Sequence, residues 1–350
     1  MTASRIRGKF KKKVIQAIPV WMTLFLVILG GLAWLSSLFS LKMNWLNLIL
    51  DFFSRFTTVF LGIFIEAVPF LLMGTLASGL VEVYFRREDF VKSIPRQTIL
   101  AVVLSSLVGI VFPVCECGVV PFMRRLVRKG LPYSAGVAVL LAVPVINPVV
   151  IASTYAAFGH GVVFWGRIGI TLVVAIFTGL VFSLQKNPDW IFREGVLAVD
   201  QAESSPSAFP LTTQKRLTNA LIIAADEFVE MGQFLVLGAL LAAGLQTVIP
   251  QAVFQGSLQH PAISPIITSF LAVLLSICST VDAFIALSFT GVFPSGSILA
   301  FLVFGPMVDI KSTLMYLKVF KGKAVFFLIV IPLSLIIMVS IAINYLGWGY

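Results

Sequence analysis

Apolar runs long enough to cross a bilayer alternate along this chain with short polar or basic stretches. Uninterrupted runs cover about residues 15–39, 56–83 and 161–184; one near 133–158 is interrupted in mid-span, and the same style continues to the end, giving nine apolar segments. Roughly 20 helical residues span about 30 Å of hydrocarbon. A backbone in lipid must also satisfy its own hydrogen bonds. The pattern therefore predicts an all-α polytopic membrane protein and not a barrel of short alternating strands.

Two stretches depart from simple spans. FPVCECGVVPFMRRLVRK, residues 112–129, and ICSTVDAFIALS, residues 277–288, carry cysteine and acid into apolar sequence at expected helix breaks. Pro113, Gly118 and Pro121 bracket the first cysteines and predict a turn there. Both flanks of the first stretch are basic, with Arg86, Arg87, Lys92 and Arg96 before it and Arg124, Arg125, Arg128 and Lys129 after it. Basic residues favour the cytoplasmic side. If the stretch enters and leaves on that side as a re-entrant hairpin, 21 of the 25 Lys and Arg fall inside; only Lys42, Arg55, Arg167 and Lys311 lie elsewhere. A full crossing would put eight on the outer side.

The landmarks then recur. Glu230 precedes Gly238 by eight residues, as Glu66 precedes Gly74, with Phe234 and Phe70 four after each acid. Cys278 follows Glu230 by 48, Cys115 follows Glu66 by 49, and Pro306 and Pro144 follow those cysteines by 28 and 29. Asp309 stands three after Pro306, as Asn147 does after Pro144. This predicts an internal duplication. Lys318, Lys321 and Lys323 mark an inner loop, so the second copy is inverted, with its hairpin (265–288) on the outer side. The expected organisation is a basic cytoplasmic N-terminus and first helix (1–45), a first repeat (46–184), a cytoplasmic linker (185–216) and a second, inverted repeat (217–350). About seven helices cross fully, and two re-entrant hairpins complete the inverted-topology repeat on which many secondary transporters are built.

Composition narrows the class further. Hydrophobic residues make up 59% of the chain, charged ones 11%, and the mean hydropathy is +1.03. A net charge of +10 is carried by clusters at the ends of apolar runs, which fits the lipid bilayer as partner and not nucleic acid. The N-terminal apolar run is too long for a signal-peptide core and predicts an uncleaved helix in the plasma (inner) membrane, N-terminus cytoplasmic and C-terminus outside. No G-x-x-x-x-G-K-[ST] loop supports an ATP pump, and no cofactor motif appears. A separate accessory subunit or a second copy of the chain is compatible with the sequence.

Candidate chemistry gathers at the interruptions. Cys115, Glu116, Cys117 and Cys278 come from the two hairpins, and Asn147 and Asp309 from the two interrupted helices. With Asp282 they form the expected substrate-binding set. Thiolates select soft partners, and Cys115 and Cys117 are also candidate metal ligands. Glu66 and Glu230, intramembrane carboxylates at matching positions, are the expected proton-coupling pair, with Glu230 favoured because Asp226 and Glu227 lie one turn away. Arg167, near the outer end of its span, is expected to snorkel. His160 and His260 fall in outer loops. Gly74, Gly79, Gly238 and Gly244 are expected to permit close helix packing.

VCECGVVPFMRRLVRKG with AVPVINPVV, and CSTVDAFIALSF with FGPMVDIKSTLMY, resemble the two motif blocks of the ArsP-type predicted permease family. The resemblance runs from about Glu66 to Gly322 and implies a multi-pass permease whose characterised relatives export trivalent organoarsenicals. In this chain Glu116 stands between the cysteines where the family pattern has a small polar residue. The reading that follows is a secondary transporter of a small thiophilic solute, effluxed with proton coupling. A channel-like pore and a membrane thiol oxidoreductase are the competing classes.

Overall fold

The computed structural model of the protein describes residues 44–84, 95, 97–112, 114–185, 188–193, 213–248 and 260–347. The expected first helix, the basic N-terminus, the loop at 86–94, Pro113, most of the linker and the last three residues lie outside them. The described residues are helical, apart from isolated bridges such as Phe192 to Phe320. Five helical stretches are long and apolar enough to cross a membrane: Ile49–Val83, Val162–Ser183, Leu217–Val248, Ser295–Val319 and Gly322–Leu346.

Helix α1 (Asn44–Tyr84) is followed by α2 (Thr98–Ser106), a 3-10 turn (Val108–Ile110) and α3 (Glu116–Arg128). Then come α4 (Tyr133–Ala142), α5 (Pro148–Phe158) and α6 (Val162–Ser183). After a short turn at Pro188–Ile191, α7 (Thr213–Val248) opens a second series: α8 (Ser264–Leu275), α9 (Asp282–Leu287), α10 (Ser295–Met307), α11 (Ile310–Val319) and α12 (Gly322–Leu346). In each half a long helix precedes two short ones, then a helix broken in two, then another long helix. Packing follows the same scheme: α4 lies against α2 and α6, and α10 against α8 and α12.

Gly118 and Pro121 do not break the chain as their types lead one to expect. Both lie inside α3, which starts earlier, at Glu116 with Cys115 as its N-cap. Pro121 lacks the N–H that would have bonded to the Cys117 carbonyl, and the helix continues past it to Arg128 with that one bond missing. In the second half the break opens at Ser276, a left-handed residue with φ of 44°. Such a conformation is disfavoured for a residue with a side chain and persists where its surroundings fix it.

The long helices α1 and α7 pack against each other over much of their length, and glycines set the spacing at particular points. A Cβ at Gly79 would stand 2.4 Å from the Ala220 carbonyl oxygen, and one at Gly74 2.3 Å from Gly118 Cα. Gly238 meets Lys311 Cα at 2.7 Å in the same sense, whereas Gly244 has open space apart from Phe56. Three of the four expected packing glycines thus seat one backbone on another.

Candidate functional site

The two broken helices are stopped and restarted by matching caps. Asn147 caps α5, its Oδ1 accepting from Val150 N at 2.9 Å, while its Nδ2 donates to the Val114 and Pro144 carbonyls at 3.4 Å. Asp309 caps α11, its Oδ1 accepting from Ser312 N at 2.6 Å while its own N–H donates to Ser312 Oγ at 2.9 Å. Each cap satisfies a helix terminus that would otherwise expose bare amides. Each break also touches the chain before the preceding short helix: Asn147 reaches Val114, ahead of α3, and Ile310 N donates to Ser276 Oγ, ahead of α9, at 3.3 Å.

The three cysteines meet at this point. Cys115 caps the start of α3 without a side-chain bond to the helix, and its thiol is in hydrogen-bond contact with both Cys117 and Cys278. Glu116 lies beside them, with Lys311 Nζ 3.6 Å from its Oε1 and 3.3 Å from Asp309 Oδ2. All six side chains are buried, with residue exposures of 2% or less. Glu66 joins the group from α1, facing Lys311 and Thr280. Tyr316 closes the far side of the α10 to α11 break, its hydroxyl donating to the Met307 carbonyl at 2.8 Å.

Further ion pairs are formed by Arg167 and by the basic residues of α3. Arg167 donates from Nη1 and Nη2 to the two carboxylate oxygens of Asp282 at 2.9 and 2.6 Å, and Nη1 also donates to Thr154 Oγ1 at 2.9 Å. It is 1% exposed, so it does not snorkel. A bidentate carboxylate supplies the hydrogen bonds that make a buried guanidinium tolerable. At the C-terminal end of α3, Arg125 reaches Glu227 at 2.7 Å and Glu82 at 3.3 Å, Lys129 reaches Glu82 at 3.1 Å, and Arg124 reaches Glu230 at 3.3 Å. The short helices α3 and α9 are therefore each tied by charge to a long helix distant in the chain, α3 to α7 and α9 to α6.

Cys115, Glu116, Cys117, Cys278 and Asp309, with Glu66, lie together. Asn147 lies at the edge through Val114, and Asp282 belongs to the Arg167 pair. Glu230 is elsewhere: its side chain is 35% exposed and lies within 3.6 Å of Lys318 as well as beside Arg124. Its match to Glu66 is one of spacing; in three dimensions it faces the cations at the end of α3, and Glu66 faces the buried cluster. Among the described residues no group of three or more His, Cys, Asp or Glu is placed to hold a metal ion. The Cys115 and Cys117 thiols contact each other within the buried interior.

Lys311 is the central residue that sequence reasoning passed over. Its signal was present: an ammonium two residues past the break of an apolar helix is as costly as an intramembrane acid, and needs an equal reason. Glu82 and Glu227 were likewise missed as partners of the basic run.

An all-helical bundle with several spans, broken helices and a buried polar cluster at the breaks has the build of a membrane permease. The chain belongs to the ArsP_1 family of predicted permeases, whose family model matches residues 52–345. It is 39% identical over 294 residues to the UPF0718 protein YcgR of Bacillus subtilis (strain 168), covering 83% of this chain and 98% of that protein. A Streptococcus mutans serotype c protein, provisionally named as a two-component membrane permease complex subunit, is 34% identical over 270 residues, covering 76% of this chain and 87% of its own. No solved structure matches the chain.

Proposed function

We propose that the protein is a secondary transporter that exports a small thiophilic solute, a trivalent organoarsenical, across the plasma membrane with proton coupling. The observation that carries this is the meeting of three thiols, from the breaks of both hairpins, beside an ionised group inside an all-helical bundle. Two thiols condense with the dihydroxy form of a methylated trivalent arsenical: two S–As bonds form, and the thiol protons leave with the arsenic-bound hydroxyls as water. Soft sulfur ligands favour such a solute over hard cations.

An inverted repeat with re-entrant hairpins supplies the motion. Supporting it, α1 ends beside Glu82 and α3 ends beside the same residue through Arg125 and Lys129. Only short helices lie between. The helix α3 is 13 residues long, about 20 Å at 1.5 Å per residue, too short to cross roughly 30 Å of hydrocarbon. On the same side Arg193 N donates to the Val319 carbonyl and Lys321 N to the Ile191 carbonyl at 3.1 and 2.9 Å, placing the start of the linker with the lysine-rich loop. The Arg125 pairs then close the cytoplasmic side, and the Arg167 pair closes the outer side. Alternating access releases one set at a time. Glu66, at the cluster, is the coupling acid, and Glu230 serves the cytoplasmic closure. The two-component name of the Streptococcus relative favours an accessory membrane subunit.

Growth and everted-vesicle uptake with methylarsenite, antimonite, copper, zinc and thiosulfate test the reading. Uphill, pH-driven accumulation of methylarsenite, lost in Cys115→Ser and Cys117→Ser proteins that still insert, is the expected result. Downhill flux alone would make the protein a pore, and full transport by the double serine variant would dismiss the thiols.

A further inference from the structure

Two of the buried ionic groups among the described residues are built differently. Arg167 and Asp282 make two direct hydrogen bonds of 2.9 and 2.6 Å. Lys311, in contrast, stands 3.6 Å from Glu116 and 3.3 Å from Asp309. Both oxygens of Glu116 and Oδ2 of Asp309 are buried with no hydrogen-bond partner. A carboxylate so placed costs free energy comparable to the desolvation of a charge, unless a cation sits against it. The one ammonium present is shared between two carboxylates without bonding directly to either.

The charges around it are also unequal. Glu116 comes from α3, Asp309 and Lys311 from the start of α11, and Glu66 from α1. The remaining titratable neighbours are the thiols of Cys115, Cys117 and Cys278 and the Tyr316 hydroxyl. Three carboxyl groups thus face a single permanent cation. The stem of that cation is fixed at its root, because the backbone of α7 lies against Lys311 at Gly238. Its four-carbon arm is the movable part.

We propose that Glu116 and Asp309 form a binding site for a small monovalent cation, spanning the two halves of the chain, which Lys311 fills as a tethered resident ion. In a transport cycle an external cation, a proton or sodium, takes the place of the ammonium and frees Lys311 to swing away. The two carboxylates belong to different halves, so exchange of the ion changes what holds the halves together. Use of the site in transport rests on the permease reading given above; the site itself does not.

Chemical rescue tests it without any transported solute. Lys311→Ala removes the resident ion and leaves a cavity of its length. Thermal unfolding of the detergent-purified variant is followed in choline buffer, and then with sodium, lithium or ethylammonium added or the pH lowered. The expected result is a melting temperature several degrees below wild type in choline, rising saturably with ethylammonium and with sodium or acid, while wild type responds to none. Rescue by sodium identifies sodium as the exchanging ion, and rescue by acid alone identifies the proton. The double variant Glu116→Gln with Lys311→Ala restores the charge balance, so it folds in choline and loses the cation response. The proposal is overturned if no cation or acid raises the stability or folded yield of Lys311→Ala, or if the double variant responds equally. Methylarsenite transport is read separately, so its absence would count against the thiol site alone.

Discussion

The guanidinium of Arg167 on α6 holds the carboxylate of Asp282 on α9 in a two-pronged contact of 2.9 and 2.6 Å, with both residues buried. The first half of the chain thereby reaches into the hairpin of the second. Deleting one partner of such a pair strands a charge, which costs about 3–5 kcal/mol, whereas replacing both with apolar groups is often neutral. Arg167→Met and Asp282→Leu singly should therefore lower thermal stability by that amount, and the double variant should recover most of it. A double variant as unstable as the singles would show that the pair is not a closed unit.

The proposed cytoplasmic closure should yield more easily. Arg125 has two acidic partners, Glu227 and Glu82, so Glu227→Gln leaves it paired and the fold intact. Losing one charge-assisted contact, worth about 1.5–3 kcal/mol, should raise the opening rate of that side by about 10- to 150-fold. Labelling of Cys117 by a permeant maleimide reads this opening; an unchanged rate would remove the Arg125 to Glu227 pair from the gate.

Gly74→Ala should be damaging and Gly169→Ala harmless. A Cβ at Gly74 would meet the backbone of Gly118 at 2.3 Å, but one at Gly169 has nothing within 4 Å. Forcing atoms into close packing costs about 1–3 kcal/mol, while Ala in an open helical site gains up to about 1 kcal/mol over Gly. Melting curves of the two variants in detergent should move in opposite directions.

The proposed topology is tested by single cysteines in a background lacking the native three. Residues 128 and 193 should be reached by an impermeant thiol reagent from the cytoplasmic side, and residue 262 from the outside. Outside labelling at residue 128 would end the re-entrant hairpin and the inverted repeat with it.

Much of this protein was legible before any coordinates. Runs of apolar residues long enough for hydrocarbon dictate an all-helical membrane bundle, because lipid offers no partner for an unpaired amide. The interruptions at Cys115, Asn147, Cys278 and Asp309 stood out for the same reason, since polar or irregular backbone at depth must be buried or wetted. What spacing could not decide was which charges meet. Glu66 and Glu230 occupy matching places in the two halves, yet Glu66 faces the thiol cluster and Glu230 faces Arg124 and Lys318. Arg167 and Lys311 read as stray cations in the chain, and only packing supplied Asp282 across 115 residues to the one and Glu116 from the other half to the other. The gain from placing a segment in hydrocarbon is a sum over that segment's own residues and so is visible in the sequence. An ion pair depends on a distance of a few ångströms between remote residues, and the tertiary fold alone fixes that distance.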